Sequence, residues 1–501
     1  GIFYLTRHYF PELRIHASTL MTIHNHPGVN QLAKMGAKRV VLARELNLQE
    51  IEQIASNTQV ELEIFVHGAL CYSFSGLCLA SSFRGGHSGL QGRCVQPCRL
   101  RYKQGRKEGF FLSCNDLCAL PLLSQLKKMR LAAFKIEGRM KPARYIGQVV
   151  RAYRLVLDAP SGKESEAIAE AQELLAQSPA RRLTSGFLQK HGSDQVLTPH
   201  RSGSSGLWVG TVKAVDNGKA VVNLRYDVQV GDRLRPESSE GIEKPAFTVA
   251  EILSVQRKPL KRGQAGSTVL LSGKDKLSSR MRLFRVGTKR GATGKGWSEI
   301  KRAGNRASSF SKKFSQPQRV WEELPGPAAK PPDTDILMIK VDRGADLAKA
   351  LQSPADRVIY TATRSNLEKL ARKRPAPVQK KRFAWSIPPL LAEREIDYYR
   401  AAIEWYRNKG FLTWEVNNWS HFDLFESDKR LRLMAGHRFN LRNTIALAEM
   451  FEAGCREAVL SLEITREELQ TLGREQTSLS PIVAVYAWPP VFTSRLVPKL
   501  L

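Results

Sequence analysis

Between residue 1 and about residue 157, short apolar runs alternate with segments whose apolar positions recur every three or four residues. RIHAST (14–19), KRVVLAR (38–44), ELEIFVH (61–67) and AAFKIEG (132–138) have the length and β-branched content of strands. NLQEIEQIAS (47–56), CALPLLSQLKKM (118–129) and PARYIGQVVRAYRLVL (142–157) predict the helices between them. Strands separated by helices indicate parallel β/α units. A charged helical stretch (164–176) and the Gly/Ser-rich HRSGSSG (200–206) close a first domain over 1–200.

The pattern then changes. From Leu207 to about residue 287, LWVGTVKAV, KAVVNLR, VGDRLRP, FTVAEILSV, STVLLSG and MRLFRV follow one another with turn signals between them. Asp216-Asn217-Gly218 marks a hairpin, and closely spaced strands without helices suggest a small β-barrel. Residues 288–332 read as a basic linker rich in Pro, Gly and Ser, ending in ELPGPAAKPP. From 333 to 501 the β/α alternation returns in ILMIKVD, RVIYTAT, RFAWSIPP, FLTWEVNN, LRLMAGH, EAVLSLE and IVAVYAW.

This last part repeats the first at a constant offset of 418 positions without a gap. Leu13-Arg14 matches Leu431-Arg432, Ala17 matches Ala435, Asn25 matches Asn443 and Gly36 matches Gly454. Val41-Leu42 matches Val459-Leu460, Glu45 matches Glu463 and Glu50 matches Glu468. About four strands precede the matched segment in the second copy, and none precedes residue 1 in the first. A complete (β/α)8 barrel needs both sets, so the chain is expected to start inside one barrel and stop inside another. The fold class expected is α/β: an incomplete barrel-like β/α domain, a small β-barrel, and a second incomplete β/α repeat.

Charge narrows the class of partner. Lys and Arg total 78 against 47 Asp and Glu, a net charge of +31. A polyanion, most commonly nucleic acid, is the expected partner of so basic a chain, although charge for solubility alone stays open. Nine basic residues against Glu299 alone occupy 288–319, interleaved with Trp297, Phe310 and Phe314. Lys301, Arg302, Arg306, Lys312 and Lys313 are therefore candidate RNA contacts, with a solvated tether as the alternative. No window reaches the ~18 apolar residues that a spanning helix needs, and no membrane partner is expected. The chain opens Gly1-Ile2-Phe3, without an initiator Met or a charged-then-apolar leader, as expected of a fragment or a processed chain, and no signal peptide is claimed. Cytoplasmic is the location expected of so basic a chain.

The chemistry concentrates in VHGALCYSFSGLCLASSFRGGHSGLQGRCVQPCR, where Cys71-x6-Cys78-x15-Cys94-x3-Cys98 opens at the exit of a strand. Barrel active sites lie at such exits. Thiolates suit zinc or an iron–sulfur cluster, and only one interval is as short as a zinc knuckle, which favours a cluster held by loops. Zinc and two disulfides stay open on spacing alone. Cys114 is a further possible ligand, whereas Cys118 and Cys455 fit small core residues.

HASTLMTIHN, KRVVLAREL, EIFVHGALCYSFSGLC, GRCVQPCR, SCNDLCALPLL and KIEGRMKPARYIGQVVRAYR together resemble the collagenase-like peptidase family, peptidase family U32. The resemblance covers nearly all of 13–157. It implies an RNA hydroxylase with a 4Fe–4S cluster on Cys71, Cys78, Cys94 and Cys98. Family members make 5-hydroxycytidine in 23S ribosomal RNA or hydroxylate the wobble uridine of tRNA, and two act in ubiquinone hydroxylation. The added β-barrel and second β/α half are most similar to the ribosomal RNA branch, whose substrate would be 23S RNA or its precursor. Some relatives depend on prephenate, which the resemblance admits as a cosubstrate. The absent amino-terminal strands and Cys114, in place of a usual Pro, are departures.

Glu45, His67, Lys135, Glu137 and Arg139 are the remaining catalytic candidates at strand ends. Alternation places Lys135, Glu137 and Arg139 on one face, where they could order a ribose, a phosphate or a carboxylate. A salt-bridge network locking the strands is the plain alternative, and for His67 a satisfied core histidine. At the second-copy position of the first cysteine the chain reads VYAWPPVFTSR, so no cluster is expected there, and Tyr486, Trp488 and Arg495 could stack bases or serve as core. Two other functions compete: a peptidase, for which no His-Glu-x-x-His or Gly-x-Ser-x-Gly is present, and a non-catalytic RNA-binding protein with a structural metal.

Overall fold

The computed structural model describes residues 1–139, 141–176, 181–189, 193–199, 206–239, 243–272, 277–287, 335–372, 380–425, 428–475 and 477–498. Two predominantly parallel sheets, one from each β/α part, lie before and after an antiparallel sheet along the chain. In the first part α1 (Ile2–Tyr9) leads into β1 (Ile15–Ala17), α2 (His26–Lys34), β2 (Ala37–Val41), α3 (Leu48–Ser56) and β3 (Glu61–Ala69). Then follow β4 (Asp116–Cys118), β5 (Ala133–Ile136), α4 (Ala143–Leu157), α5 (Glu164–Ala176) and β6 (Leu183–Thr184). β1, β2, β3 and β5 pair in parallel. β3 is buried along almost its whole length, as expected of a strand covered on both faces.

One expected helix is much shorter than its pattern. The stretch expected to be helical over 118–129 opens on β4, which runs antiparallel to the exit of β3, with Cys118 opposite His67 and Asp116 opposite Ala69. Of the expected span only Leu120–Leu126 is helical, a 3-10 turn running into one α-helical turn. β2 stops pairing at Glu63, so that edge of β3 is left open towards its exit, and β4 takes it there, on the side opposite β5.

The middle part forms an eight-stranded antiparallel sheet around its own core, which includes Val209, Val222, Leu234, Ile252, Leu271 and Leu283. Its hairpin, β7 (Leu207–Asp216) to β8 (Lys219–Leu224), turns through Asn217 (φ 48°) and Gly218 (φ 75°), the mirror-image turn that suits strand twist. The last part holds seven parallel strands in sequence order. They are β9 (Met338–Val341), β10 (Arg357–Thr361), β11 (Phe383–Ser386), β12 (Thr413–Val416), β13 (Arg432–Ala435), β14 (Cys455–Val459) and β15 (Ser480–Ile482). No helix among the described residues is long and apolar enough to cross a membrane.

The repeat is visible in the backbone. Asn25 caps α2 by accepting from Gly28 N, and Asn443 caps α6 (Thr444–Glu452) by accepting from Ala446 N. Gly36 and Gly454 follow those helices at φ 98° and 99°. Asn47 with Glu50, and Thr465 with Glu468, build matching capping boxes. The register slips between Ile15 and His16, and again between Leu433 and Met434.

The two copies then exchange contacts. α2 packs on the short helix Trp419–Leu424 of the second copy, and α6 packs on α1 of the first. Asn25 Nδ2 donates to Leu391 O at 3.0 Å, Leu391 N donates to His24 Nε2 at 3.1 Å, and His26 N donates to Glu393 Oε2 at 2.9 Å. A single apolar cluster joins Leu32, Leu62 and Val66 to Val416, Leu447 and Cys455.

Candidate metal centre

The cysteine loop leaves β3 through Gly68, whose φ of 109° favours glycine. A Cβ there would lie 2.3 Å from Glu137 O, so glycine lets the strand exit pass against the chain that follows β5. Gly76 (φ 83°) repeats the device, with Thr22 Oγ1 at 2.2 Å from its would-be Cβ. Between Cys71 and Cys98 the loop has only the short helix Ala80–Phe83 and a turn beginning at Pro97.

All seven cysteines are free thiols. Cys71 lies within electrostatic range of Cys78, Cys98 and Cys114, and Cys94 within range of Cys78 and Cys98. Burial pushes the Cys71, Cys78 and Cys98 thiols up, and their mutual proximity adds to it. Burial also holds the Cys114 thiol up at about 12. Among the described residues, no three His, Cys, Asp or Glu side chains close around a point as a formed metal site. The donor set still fits a metal–thiolate group in kind: four soft donors, each within electrostatic range of at least two of the others, would repel as thiolates without a cation among them.

Charged groups border the loop. Arg44 stacks over Phe65 at 3.9 Å, donates to Ala69 O at 2.8 Å and faces Glu137 at 3.7 Å. Glu137 N donates to His67 O, and Glu137 Oε1 accepts from Arg139 N at 3.2 Å. The Arg139 side chain is 82% exposed. Glu45 is buried, and its Oε1 accepts from Ser75 N and Oγ at 3.1 and 3.2 Å. Burial raises its pKa, and Oε2 has no partner among the described residues.

Lys135 and His67 stand apart from this group. Lys135 donates to Glu63 at 2.8 Å across the sheet, within an ion-pair chain that continues to Arg39. His67 points into the interior, edge-on to Tyr153, and its electrostatic neighbours are Asp116 and Lys141. Burial holds its imidazole down at about 4. Arg495 pairs with Glu50 at 2.8 Å, while Tyr486 and Trp488 are 84% and 92% exposed. Lys301, Arg302, Arg306, Lys312 and Lys313 lie outside the described residues.

Three features escaped the sequence pattern. Glu463 reaches across from the second copy and accepts from Ser82 Oγ and from Ser88 Oγ, the latter at 2.5 Å. The segment 491–494 lies along the loop, with Phe74 N donating to Thr493 O at 2.6 Å and Leu79 N to Val491 O at 3.0 Å. Buried Arg99 ties Leu70 O (2.7 Å), Ser113 Oγ (3.1 Å) and Cys114 O together. Repeat equivalence singled out Glu463, but no sequence signal gives the partner it reaches. A cavity of about 380 Å3 between the copies borders the loop at Gly76, with Thr22, Asn418, Trp419, Arg438 and Phe439 also on its wall.

Several known proteins are similar to part of this chain. The tRNA hydroxylation protein P of Escherichia coli K12 is 30% identical over 250 residues, 39% of this chain and 54% of that protein. The 23S rRNA 5-hydroxycytidine C2501 synthase of the same strain is 39% identical over 156 residues, 30% of this chain and 24% of that protein. The tRNA hydroxylation protein P1 of Bacillus subtilis 168 is 33% identical over 162 residues, 30% of this chain and 38% of that protein. The matched stretches thus span between about a quarter and about a half of these relatives. The profile of peptidase family U32 matches residues 1–198, which contain the whole cysteine loop, and this part of the chain is a peptidase family U32 domain.

Proposed function

We propose that this chain is an iron–sulfur-dependent RNA hydroxylase that modifies a pyrimidine, forming 5-hydroxycytidine in 23S ribosomal RNA. The observation that carries the reading is the gathering of Cys71, Cys78, Cys94 and Cys98 as free thiols in a U32 domain whose relatives are named for RNA hydroxylation. These four thiols would hold a 4Fe–4S cluster, which supplies one-electron chemistry when bound. The exit of β3 would then be the mouth of a partial barrel, with the basic linker as a contact for the RNA backbone.

The chain's own groups bind and orient. Arg44, held over Phe65 and facing Glu137, and exposed Arg139 present cationic donors to a phosphate or a carboxylate cosubstrate. Glu45, buried and raised in pKa, holds the loop at Ser75. Chemistry at C5 requires an unstacked base, and the cavity beside Gly76, with Trp419 and Phe439 on its wall, is where this reading seats it.

Two measurements on the full chain test it. Anaerobically purified protein should carry about four irons, as a four-thiolate cluster requires, and lose them when any of the four cysteines becomes Ser. Cys455→Ser, buried in the shared core, should keep them. Nucleoside mass spectrometry should find one pyrimidine of ribosomal RNA heavier by one oxygen only in cells that contain the protein. Stoichiometric zinc without iron, or unchanged RNA, refutes the proposal. A second reading, hydroxylation of a tRNA pyrimidine, is favoured by one observation: the match to tRNA hydroxylation protein P is the longer, at 250 against 156 residues. The same mass analysis on tRNA separates the two.

A further inference from the structure

Among the described residues Arg44, Arg99 and Arg181 lie within electrostatic range of thiols of the cysteine group, and of these three Arg99 has no carboxylate partner. Arg44 faces Glu137 at 3.7 Å, and Arg181 pairs with Asp116 at 3.1 Å. Arg99 is buried, and its guanidinium contacts among the described residues are Leu70 O, Ser113 Oγ and Cys114 O, all neutral. A buried cation that meets only neutral acceptors is costly to keep, unless an anion stands nearby. The anchors show where that anion would be. Leu70 precedes Cys71, Arg99 itself follows Cys98, and Cys114 is the fifth thiol of the group. The guanidinium therefore ties together the backbone at both ends of the cysteine loop. It lies within electrostatic range of Cys98 and Cys114.

Resting on the cluster reading above, we propose that Arg99 is the fixed counter-charge of the metal–thiolate group, and that its buried positive charge favours the more reduced, more negative state of that group. Four thiolates together with the cluster's sulfides bring more negative charge than the iron ions cancel, and each electron added increases the excess. A cation locked by three acceptors cannot swing away to water, so it acts on both redox states and favours the more negative one. Arg99 is a positioning residue, because its guanidinium is bound to the protein and acts on the cluster through its charge.

The experiment uses the full chain, purified anaerobically, as wild type, Arg99→Gln, Arg99→Lys and Ser113→Ala. Metal content is measured, then the reduced-to-oxidised ratio at a fixed ambient potential. Arg99→Gln should lower that ratio at least tenfold, about 59 mV for a one-electron couple. Arg99→Lys, which keeps the charge, and Ser113→Ala, which removes one neutral acceptor, should stay within threefold. An Arg99→Gln ratio within threefold of wild type, or an equal shift in Arg99→Lys, overturns the proposal. If Arg99→Gln fails to retain metal, Arg99→Lys decides: retention at the wild-type rate against a chelator supports a charge role, and equal loss refutes it. Wild-type protein that holds zinc and no iron refutes the reading above. The counter-charge is then judged by zinc release, at least tenfold faster in Arg99→Gln alone if it is correct and equal in all variants if it is not. Wild-type protein without metal overturns both.

Discussion

Replacing Glu463 by Ala removes the carboxylate by which the second copy holds the cysteine loop. Two hydroxyls, Ser82 Oγ and Ser88 Oγ, donate to it. Ser88 is buried, so without Glu463 its hydroxyl loses an acceptor that solvent does not readily replace. Hydrogen bonds to a charged acceptor contribute roughly 1.5–3 kcal/mol each, and the half-buried position of Glu463 cuts the pair to about 2 kcal/mol. Spread over local opening, that is about a thirty-fold change, at tenfold per 1.4 kcal/mol. Hydrogen exchange reads it at amides that close the loop: Gly86 N to Ser82 O (2.7 Å), Arg93 N to Ser88 O (2.9 Å) and Val95 N to Ser81 Oγ (2.9 Å). Phe74 N, which donates to Thr493 O, should change by less than threefold. Glu463→Gln, which keeps one acceptor oxygen, should fall about midway on a logarithmic scale. Loop exchange within threefold of wild type in Glu463→Ala, with the fold intact by circular dichroism, refutes the argument. So does equal acceleration in the antiparallel sheet, which would mean global loosening.

Further outcomes follow from the same geometry. Asn25→Ala should cost about 1–2 kcal/mol more in denaturant unfolding than Asn443→Ala. Both cap a helix, but Asn25 also bonds Leu391 O across the copies. Gly68→Ala should lower the melting temperature and release iron, because its Cβ meets Glu137 O at 2.3 Å and φ is 109°. His67 takes up its proton near 6.5 when unfolded but only at about 4 in the fold, so its neutral form stabilises the protein fully above that range and the contribution is lost as pH falls through it. His67→Phe should therefore remove about 2 kcal/mol of the stability difference between neutral pH and about pH 5, measured by denaturant unfolding at each.

What sequence pattern could reach was set by how local each feature is. The caps at Asn25 and Asn443, the glycines at 36 and 454, and the Glu50 and Glu468 capping boxes are local, and the repeat exposed them in pairs. β4 was missed because Leu117, Cys118, Leu120 and Leu123 fit a helix face equally well, and the edge that recruits Asp116–Cys118 lies some fifty residues away. Alternation puts Lys135 on the side of Glu137, yet Glu63 on the neighbouring strand takes its charge. Strand alternation fixes the side of a sheet, but the partner depends on register between strands. The cysteines were legible from spacing alone. Arg99 was not, because a buried arginine has no periodic signature.

A second β/α copy without cluster cysteines has a physical use in this arrangement. The loop from Cys71 to Cys98 is long, nearly free of regular structure, and turns through Gly76, Gly85, Gly86 and Gly92 at positive φ. Ordering each residue of such a loop costs about 1–2 kcal/mol in backbone entropy, and its own few apolar contacts cannot offset that. The restraints come from outside it and from both copies. The first holds Ser75 through Glu45 and the loop's two ends through Arg99. The second holds Ser82 and Ser88 through Glu463, Leu77 O through Arg438, and Phe74 and Leu79 through residues 491–493. Because α2 and α6 exchange partners across the same core, those restraints are rigid with respect to β3. The second copy can therefore lack a cysteine loop of its own and still fix where the cysteines of the first copy's loop stand, and substitutions in it should act on that loop without touching a thiol.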